Sequence, residues 1–266
     1  MALLPIYKYF IFNNEIKTVS EFVPSENEGG IYEVLRVVNG VPLFLEDHLE
    51  RFYKSADTAG KEIKFSPDQI GSLLKFLIEK VDVKTGNILL SCKTNLKAFF
   101  ITHNYPNGID YETGVDCGIL HAERNNPNVK VFQTSVRQQA NALIAESALY
   151  EVLLVDKKGR ITEGSRSNVF FVKGNKIITP KAKKVLLGIT RQKTLQCAAE
   201  LGLSVKEKNV GLDDLADYDA VFLTGTSPKI LPVKQVAGIS FDSQNRIVKM
   251  LMEKYDIMID KYIKNA

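Results

Sequence analysis

EVLLVDKKGRITEGSRSNVFFV, residues 151–172, is the stretch on which the reading of the fold turns. Glu151 to Val155 is a short apolar run, DKKGR supplies a turn, and an apolar run resumes at Ile161, which predicts a β-hairpin. Ile161 to Val172 reads as one strand with a carboxylate, a glycine and small hydroxyl residues set inside it. Glu163 is costly in such a strand unless it meets a partner, because a buried carboxylate must be paired or hydrogen-bonded. The same pattern is also met by an exposed glutamate at a hairpin edge. Lys173-Gly174-Asn175 then turns the chain back into Lys176 to Thr179.

Downstream, LLGITRQKTLQCAAELGL (186–203) places Gly188 ahead of a helix over Thr190–Leu201. The free N–H groups at such a helix start can hold an anion, although an ordinary capped helix has the same sequence pattern. FLTGTSPKILPV (222–233) reads as a strand ending in a Gly-Thr-Ser turn, and Asp242 to Ile263 as a long amphipathic helix. Upstream lie a helix over Arg137–Leu149, the loop HAERNNPN (121–128) and a short strand at Val115–Leu120. The first part of the chain predicts a hairpin, Tyr32–Val38 and Pro42–Leu45, about the turn Asn39-Gly40. A helix from Glu46 follows with Leu49, Phe52, Tyr53 and Ala56 on one face. Ser66-Pro67-Asp68-Gln69 starts a second helix, with Ile70, Leu73, Leu74 and Leu77 as its stripe. Two more strands are expected at Asn87–Cys92 and Ala98–His103. The texture changes around Tyr105–Asn128, which divides an α+β chain into domains 1–113 and 114–266.

The 266 residues carry 45% hydrophobic and 25% charged side chains, an ordinary globular balance. The net charge of +4 is spread along the chain, and the short cluster Lys181–Lys184 is no nucleic-acid footprint. Cys92, Cys117 and Cys197 are odd in number and far apart, which fits a reducing compartment rather than a disulfide framework. The three histidines show no metal-ligand spacing with them. No apolar stretch approaches the roughly 20 residues of a membrane span, and a signal peptide is not recognisable, so a cytoplasmic protein is expected. The phosphate loop GxxxxGK[ST], a GxGxxG after a strand, GxSxG and HExxH are all missing, which removes support for the commonest nucleotide, hydrolase and zinc mechanisms.

Taken in order, YEVLRVVNG, LEDHLERFYKSA, EVLLVDKKGRITEGSRSNVFFV, LLGITRQ and LTGTSPKILPV resemble the class-IV (fold-type IV) aminotransferase family. That family includes branched-chain aminotransferases, D-amino acid aminotransferases and 4-amino-4-deoxychorismate lyases, and the resemblance covers most of the chain. It implies a two-domain, D-amino acid aminotransferase-like fold with pyridoxal 5'-phosphate in the interdomain cleft, and a homodimer. It implies an enzyme that moves an amino group between small-molecule amino acids and 2-oxo acids. The alternatives are a lyase that releases pyruvate and a binding protein of the same fold that has lost catalysis.

The resemblance also implies site residues. The family's reactive lysine matches Lys130, reached by counting back without a gap from Glu151; no other lysine stands between Lys97 and Lys157. A lysine amine can bond to the cofactor's aldehyde and later move protons. Glu163 matches the carboxylate beside the pyridine nitrogen, where it keeps that nitrogen protonated. Arg51 matches the arginine that grips the phosphate and shares a helix face with His48. Ile189, Thr190 and Thr226 match further phosphate donors, and Leu186 the apolar residue against the ring. Arg36 matches a basic residue often found at its position, and an exposed strand arginine would read the same. Three features depart from the family: VPSENEGG (23–30) before the strand, Gln133 three residues after Lys130, and CKTNLKAFFITHNYP, which lacks the Arg-x-His carboxylate trap of the D-amino acid enzymes.

Overall fold

Strands packed on both faces build the first sheet in a computed structural model that describes residues 3–24 and 28–266. Ser25 to Asn27, within the departing VPSENEGG stretch, lie outside the described residues. β1 (Tyr9–Phe12), β2 (Glu15–Thr18), β3 (Ile31–Val38) and β4 (Val41–Pro42) come first, then α1 (Leu45–Thr58), α2 (Pro67–Val81), β5 (Thr85–Cys92) and β6 (Leu96–Ile101). The strands pair in the order β2-β1-β6-β5-β3-β4, antiparallel throughout. The β1–β2 hairpin is an element that the sequence reading does not contain.

Along β3 every second residue, Ile31, Glu33, Leu35 and Val37, is buried, as a period of two requires. The apolar members of that face pack against Leu49, Phe52 and Ala56 of α1 and Ile70, Leu74 and Leu77 of α2. The other face of the sheet gathers Phe10, Leu89, Phe99 and Ile101, with Phe22, Tyr32, Val34 and Phe132 against them. Asn39 and Gly40 both take positive φ, 52° and 79°, the turn that Asn-Gly favours. Helix starts differ. α2 carries the expected capping box, with Gln69 N donating to Ser66 Oγ at 3.2 Å and Ser66 N to Gln69 Oε1 at 2.8 Å. α1 follows Phe44, left-handed at φ 52°, and has no side-chain cap of its own. Its cap comes from Tyr262, whose hydroxyl accepts from Leu45 N at 3.0 Å and donates to Glu46 Oε2 at 2.7 Å.

The remaining chain contains α3 (Gly108–Thr113), β7 (Val115–His121), α4 (Thr134–Glu146), β8 (Glu151–Val155), β9 (Arg160–Gly164), β10 (Asn168–Lys173) and β11 (Lys176–Thr179). After these come α5 (Ile189–Glu200), β12 (Ser204–Glu207), β13 (Val210–Gly211), β14 (Ala220–Gly225), β15 (Lys229–Val236), β16 (Ile239–Ser240) and α6 (Arg246–Asn265). Their sheet has the order β12-β11-β10-β14-β15-β7-β8-β9-β13, with β16 paired to β15. The expected single strand over Ile161–Val172 is therefore two strands, and they are not neighbours in this order. Five strand spacings in a flat sheet would separate β9 from β10 by about 24 Å. The chain from Gly164 to Asn168 spans at most about 14 Å. The sheet must curl until the two strand ends meet across the Ser165–Ser167 turn. Gly164 makes the turn possible, since a Cβ there would stand 2.1 Å from Ser167 Oγ.

Two compact units result, residues 1–104, 129–133 and 259–266 forming one and 105–128 and 134–258 the other. All three cysteines are free thiols. Among the described residues no helix is long and apolar enough to cross a membrane, and no cluster of histidine, cysteine or acidic residues could hold a metal.

Candidate active site

The curl of the second sheet delivers Glu163, the penultimate residue of β9, and Asn168, the first of β10, to one place. Glu163 is 3% exposed, and its Oε2 accepts from Leu186 N at 3.0 Å. Asn168 Nδ2 donates to Leu186 O at 2.8 Å and stands 3.5 Å from the same Glu163 oxygen. The Leu186 peptide is thus held on both its N–H and its carbonyl. Gly188 is required two residues on, because a Cβ would lie 2.3 Å from Asn168 Oδ1. α5 starts immediately after it with Ile189 and Thr190, both buried, and Gly188 offers no side-chain cap. The first N–H groups of the helix therefore present the partial positive charge that suits an anion.

Thr224 lies cross-strand from Asn168, 1% exposed, and its hydroxyl has no hydrogen-bond partner. A buried hydroxyl in that state is costly, as expected of a group meant for something else. Thr226 follows in the turn after β14, and the Cβ position of Gly225 is 3.5 Å from the carbonyl of Arg166. The turn with Thr226 thus lies against the Ser165–Ser167 turn. Glu163, Leu186, Ile189, Thr190 and Thr226 accordingly share one rim of the curled sheet.

Arg124 is the residue that the sequence reading misses. It lies in the HAERNNPN loop, where no periodicity marks it. Its Nε is 3.2 Å from Glu163 Oε1, an ion-pair distance without the alignment of a hydrogen bond. Its Nη2 donates to the carbonyl of Ser165. Asn128 at the end of the same loop donates to Val185 O at 2.6 Å and Ala182 O at 2.9 Å, tying the loop to the segment before Leu186.

The first unit holds the other two expected residues, Arg51 and Lys130. Arg51 on α1 is 9% exposed and grips Glu33 of β3 with two bonds, Nε to Oε1 at 2.7 Å and Nη2 to Oε2 at 2.6 Å. His48, one turn earlier, sets Nδ1 2.7 Å from Glu33 Oε2, so that nitrogen carries the hydrogen. Burial alone would raise the Glu33 carboxyl, but the charge and hydrogen bonds of Arg51, helped by His48, bring it down to about 2. Burial pushes His48 below its ordinary value; Glu33 opposes this, and the charges of Arg51 and Lys130 add to it. Both effects leave His48 neutral beside an ionised Glu33.

Lys130 is placed by its backbone. Its N–H donates to Ser55 Oγ of α1 at 3.2 Å, and its carbonyl accepts from Tyr32 N at 3.1 Å. Its Nζ stands 4.6 Å from the centroid of the Tyr32 ring, and Phe132 stacks on that ring at 4.1 Å and 21°. An ammonium over an aromatic face is attracted by the ring's quadrupole, which holds the side chain there. In each unit the groups suit pyridoxal phosphate: a carboxylate for a ring nitrogen and a helix start for a phosphate in one, an amine and an arginine in the other.

Along most of its length the chain is similar to known proteins. The family model described as "Amino-transferase class IV" matches residues 30–236. A D-alanine aminotransferase of Bacillus licheniformis is 31% identical over 260 residues, covering 88% of this chain and 90% of its own. The crystal structure of the Escherichia coli branched-chain amino acid aminotransferase shares the fold at a TM-score of 0.85 and 20% identity, covering 95% of each chain. That of the branched-chain amino acid aminotransferase of Thermobaculum terrenum in its PLP form shares it at 0.83 and 22% identity, covering 95% of this chain and 94% of that one.

Proposed function

Because the chain belongs to the class-IV aminotransferase family, a family of pyridoxal-phosphate enzymes that move amino groups between amino acids and 2-oxo acids, we propose how its own residues divide that work. When bound, the cofactor withdraws electrons from the substrate's α-carbon. Lys130 holds it covalently through Nζ and then, released, carries a proton at that nitrogen. Glu163, oriented by Leu186 N and Arg124, keeps the ring nitrogen protonated. Ile189 and Thr190 present backbone N–H groups to the phosphate, with the Thr226 hydroxyl and the Arg51 guanidinium completing its donors. Leu186 packs against the ring. Glu33 holds Arg51 in one orientation, so that the arginine is preorganised before any phosphate arrives.

The observation that carries this reading is Glu163, a buried carboxylate aimed by a backbone N–H from the segment that opens α5. The test is borohydride reduction of protein supplied with pyridoxal phosphate, followed by peptide mass mapping, for wild type and Lys130→Ala. A pyridoxyl mass on Lys130, absent from the variant, is the expected result; the mass on another lysine overturns the assignment. Amino-donor turnover with 2-oxoglutarate is expected as well. Pyruvate release from aminodeoxychorismate without any amino transfer would instead favour the lyase. A cytoplasmic homodimer is part of the same proposal, and light scattering of the purified protein tests its mass.

A further inference from the structure

We propose that Glu151 is a positioning residue for Glu163, acting through the turn that closes the curled sheet; this rests on the cofactor reading above. Glu151 opens β8 and is 2% exposed. Oε1 accepts from Val152 N at 2.9 Å, Ser165 N at 3.1 Å and Ser165 Oγ at 2.6 Å. Oε2 accepts from Arg166 N at 3.0 Å and Ser167 Oγ at 2.9 Å. None of these donors is a side-chain cation, so the anion is held by dipoles alone. Three of the donors, Ser165, Arg166 and Ser167, make up the whole connection between β9 and β10.

The turn wraps the carboxylate closely. At Gly164 a Cβ would stand 3.1 Å from both Glu151 Cγ and Oε2 as well as against Ser167 Oγ, so the backbone passes with no room for a side chain. From the turn two paths lead to Glu163. One is covalent, since Glu163 precedes Gly164. The other runs from Ser165, whose carbonyl accepts from Arg124 Nη2, to Arg124 Nε beside Glu163 Oε1. A carboxylate is needed at 151 because every neighbour donates. An amide would turn one acceptor into a donor and set it against Arg166 N–H or Ser167. Glu151 is thus the post around which the turn is wound, and the aim of Glu163 is inherited from it.

The test compares wild type, Glu151→Gln, Ser167→Ala and, as reference, Glu163→Gln, each supplied with pyridoxal phosphate. Two quantities are read: the thermal midpoint, and the pH at which the bound cofactor's long-wavelength absorption gives way to its shorter-wavelength form. That pH reports the proton on the nitrogen that joins the cofactor to its lysine, and it shifts with the charge on the ring nitrogen, which Glu163 controls. Glu151→Gln should move it by about half a pH unit or more, in the direction of Glu163→Gln, and Ser167→Ala should move it less in the same direction. An unmoved absorption midpoint in a folded, cofactor-bearing Glu151→Gln protein, even one that melts earlier, overturns the proposal and leaves Glu151 a purely structural residue. If Glu151→Gln does not fold, Ser167→Ala, which keeps the carboxylate and four of its bonds, decides by the same criterion. A wild type that takes up no cofactor defeats the cofactor reading itself, a failure separate from unmoved variants of a normal wild type.

Discussion

Glu33 and Glu151 are both buried carboxylates beside the proposed chemistry, 0% and 2% exposed, yet the molecule satisfies them in opposite ways. Glu33 meets full or potential cations: two bonds from Arg51 and one from His48. Glu151 meets only N–H and O–H dipoles. An ion pair fixes a side chain, and here the side chain fixed is Arg51. A ring of dipoles fixes the backbone that carries them, and here the backbone is the turn between β9 and β10. The first device suits a unit that must present an arginine; the second suits one that must hold two strand ends together.

Removing one partner should expose the difference. Arg51→Met leaves Glu33 buried without its counter-charge and should cost about 3–5 kcal/mol in urea unfolding. A loss below about 1 kcal/mol would show that Glu33 draws its support elsewhere.

Acid should act on the Glu33 pair next. The Glu33 carboxyl lies near 2 in the folded chain against 4.5 when unperturbed, so its contribution is present above pH 4.5 and lost as the pH falls toward 2. The change amounts to about 3 kcal/mol across that window. His48, lowered from 6.5, adds to the same acid-side loss, because protonation favours the unfolded chain as the pH falls below 6.5. Denaturation curves at pH 7, 5 and 3 should show a slope in wild type that Arg51→Met largely removes.

Glu151→Gln should cost less, about 1–3 kcal/mol, since one carboxylate oxygen with two of the five bonds becomes a donor while the other keeps its three. Equal losses from Arg51→Met and Glu151→Gln would break the distinction drawn between charge and dipoles. The smallest effect is expected at the borrowed cap of α1. Tyr262→Phe removes the hydroxyl between Leu45 N and Glu46 and should lower stability by about 1 kcal/mol, measured in the same urea series.

What was legible in the sequence was local. Asn39-Gly40 and the Ser66–Gln69 box announce their turn and cap because the chemistry lies within four residues. The relation of EGSRSN to LLGIT is visible only through family resemblance, and in space it is the Leu186 peptide held by Glu163 and Asn168. Where contacts are distant, pattern misleads. Ile161–Val172 looks like one strand because its apolar residues continue on both sides of Gly164-Ser165-Arg166-Ser167. The break is caused by Glu151, whose carboxylate captures the turn from the start of a different strand. Arg124 is hidden for the same reason, since its partner is 39 residues further along the chain. Glu33 reads as a residue of an alternating strand, and only the helix packed on it supplies Arg51.

The last turns of α6 belong with the first compact unit, where Tyr262 caps α1. Residues 129–133, with Lys130 among them, belong there too. The unit that leaves the ribosome first is therefore completed last. At ordinary translation speeds, the stretch between residues 104 and 259 takes on the order of ten seconds to synthesise. Through that interval α1 stands without its cap, and a nascent chain paused before residue 259 should be digested within the first unit more readily than the finished protein.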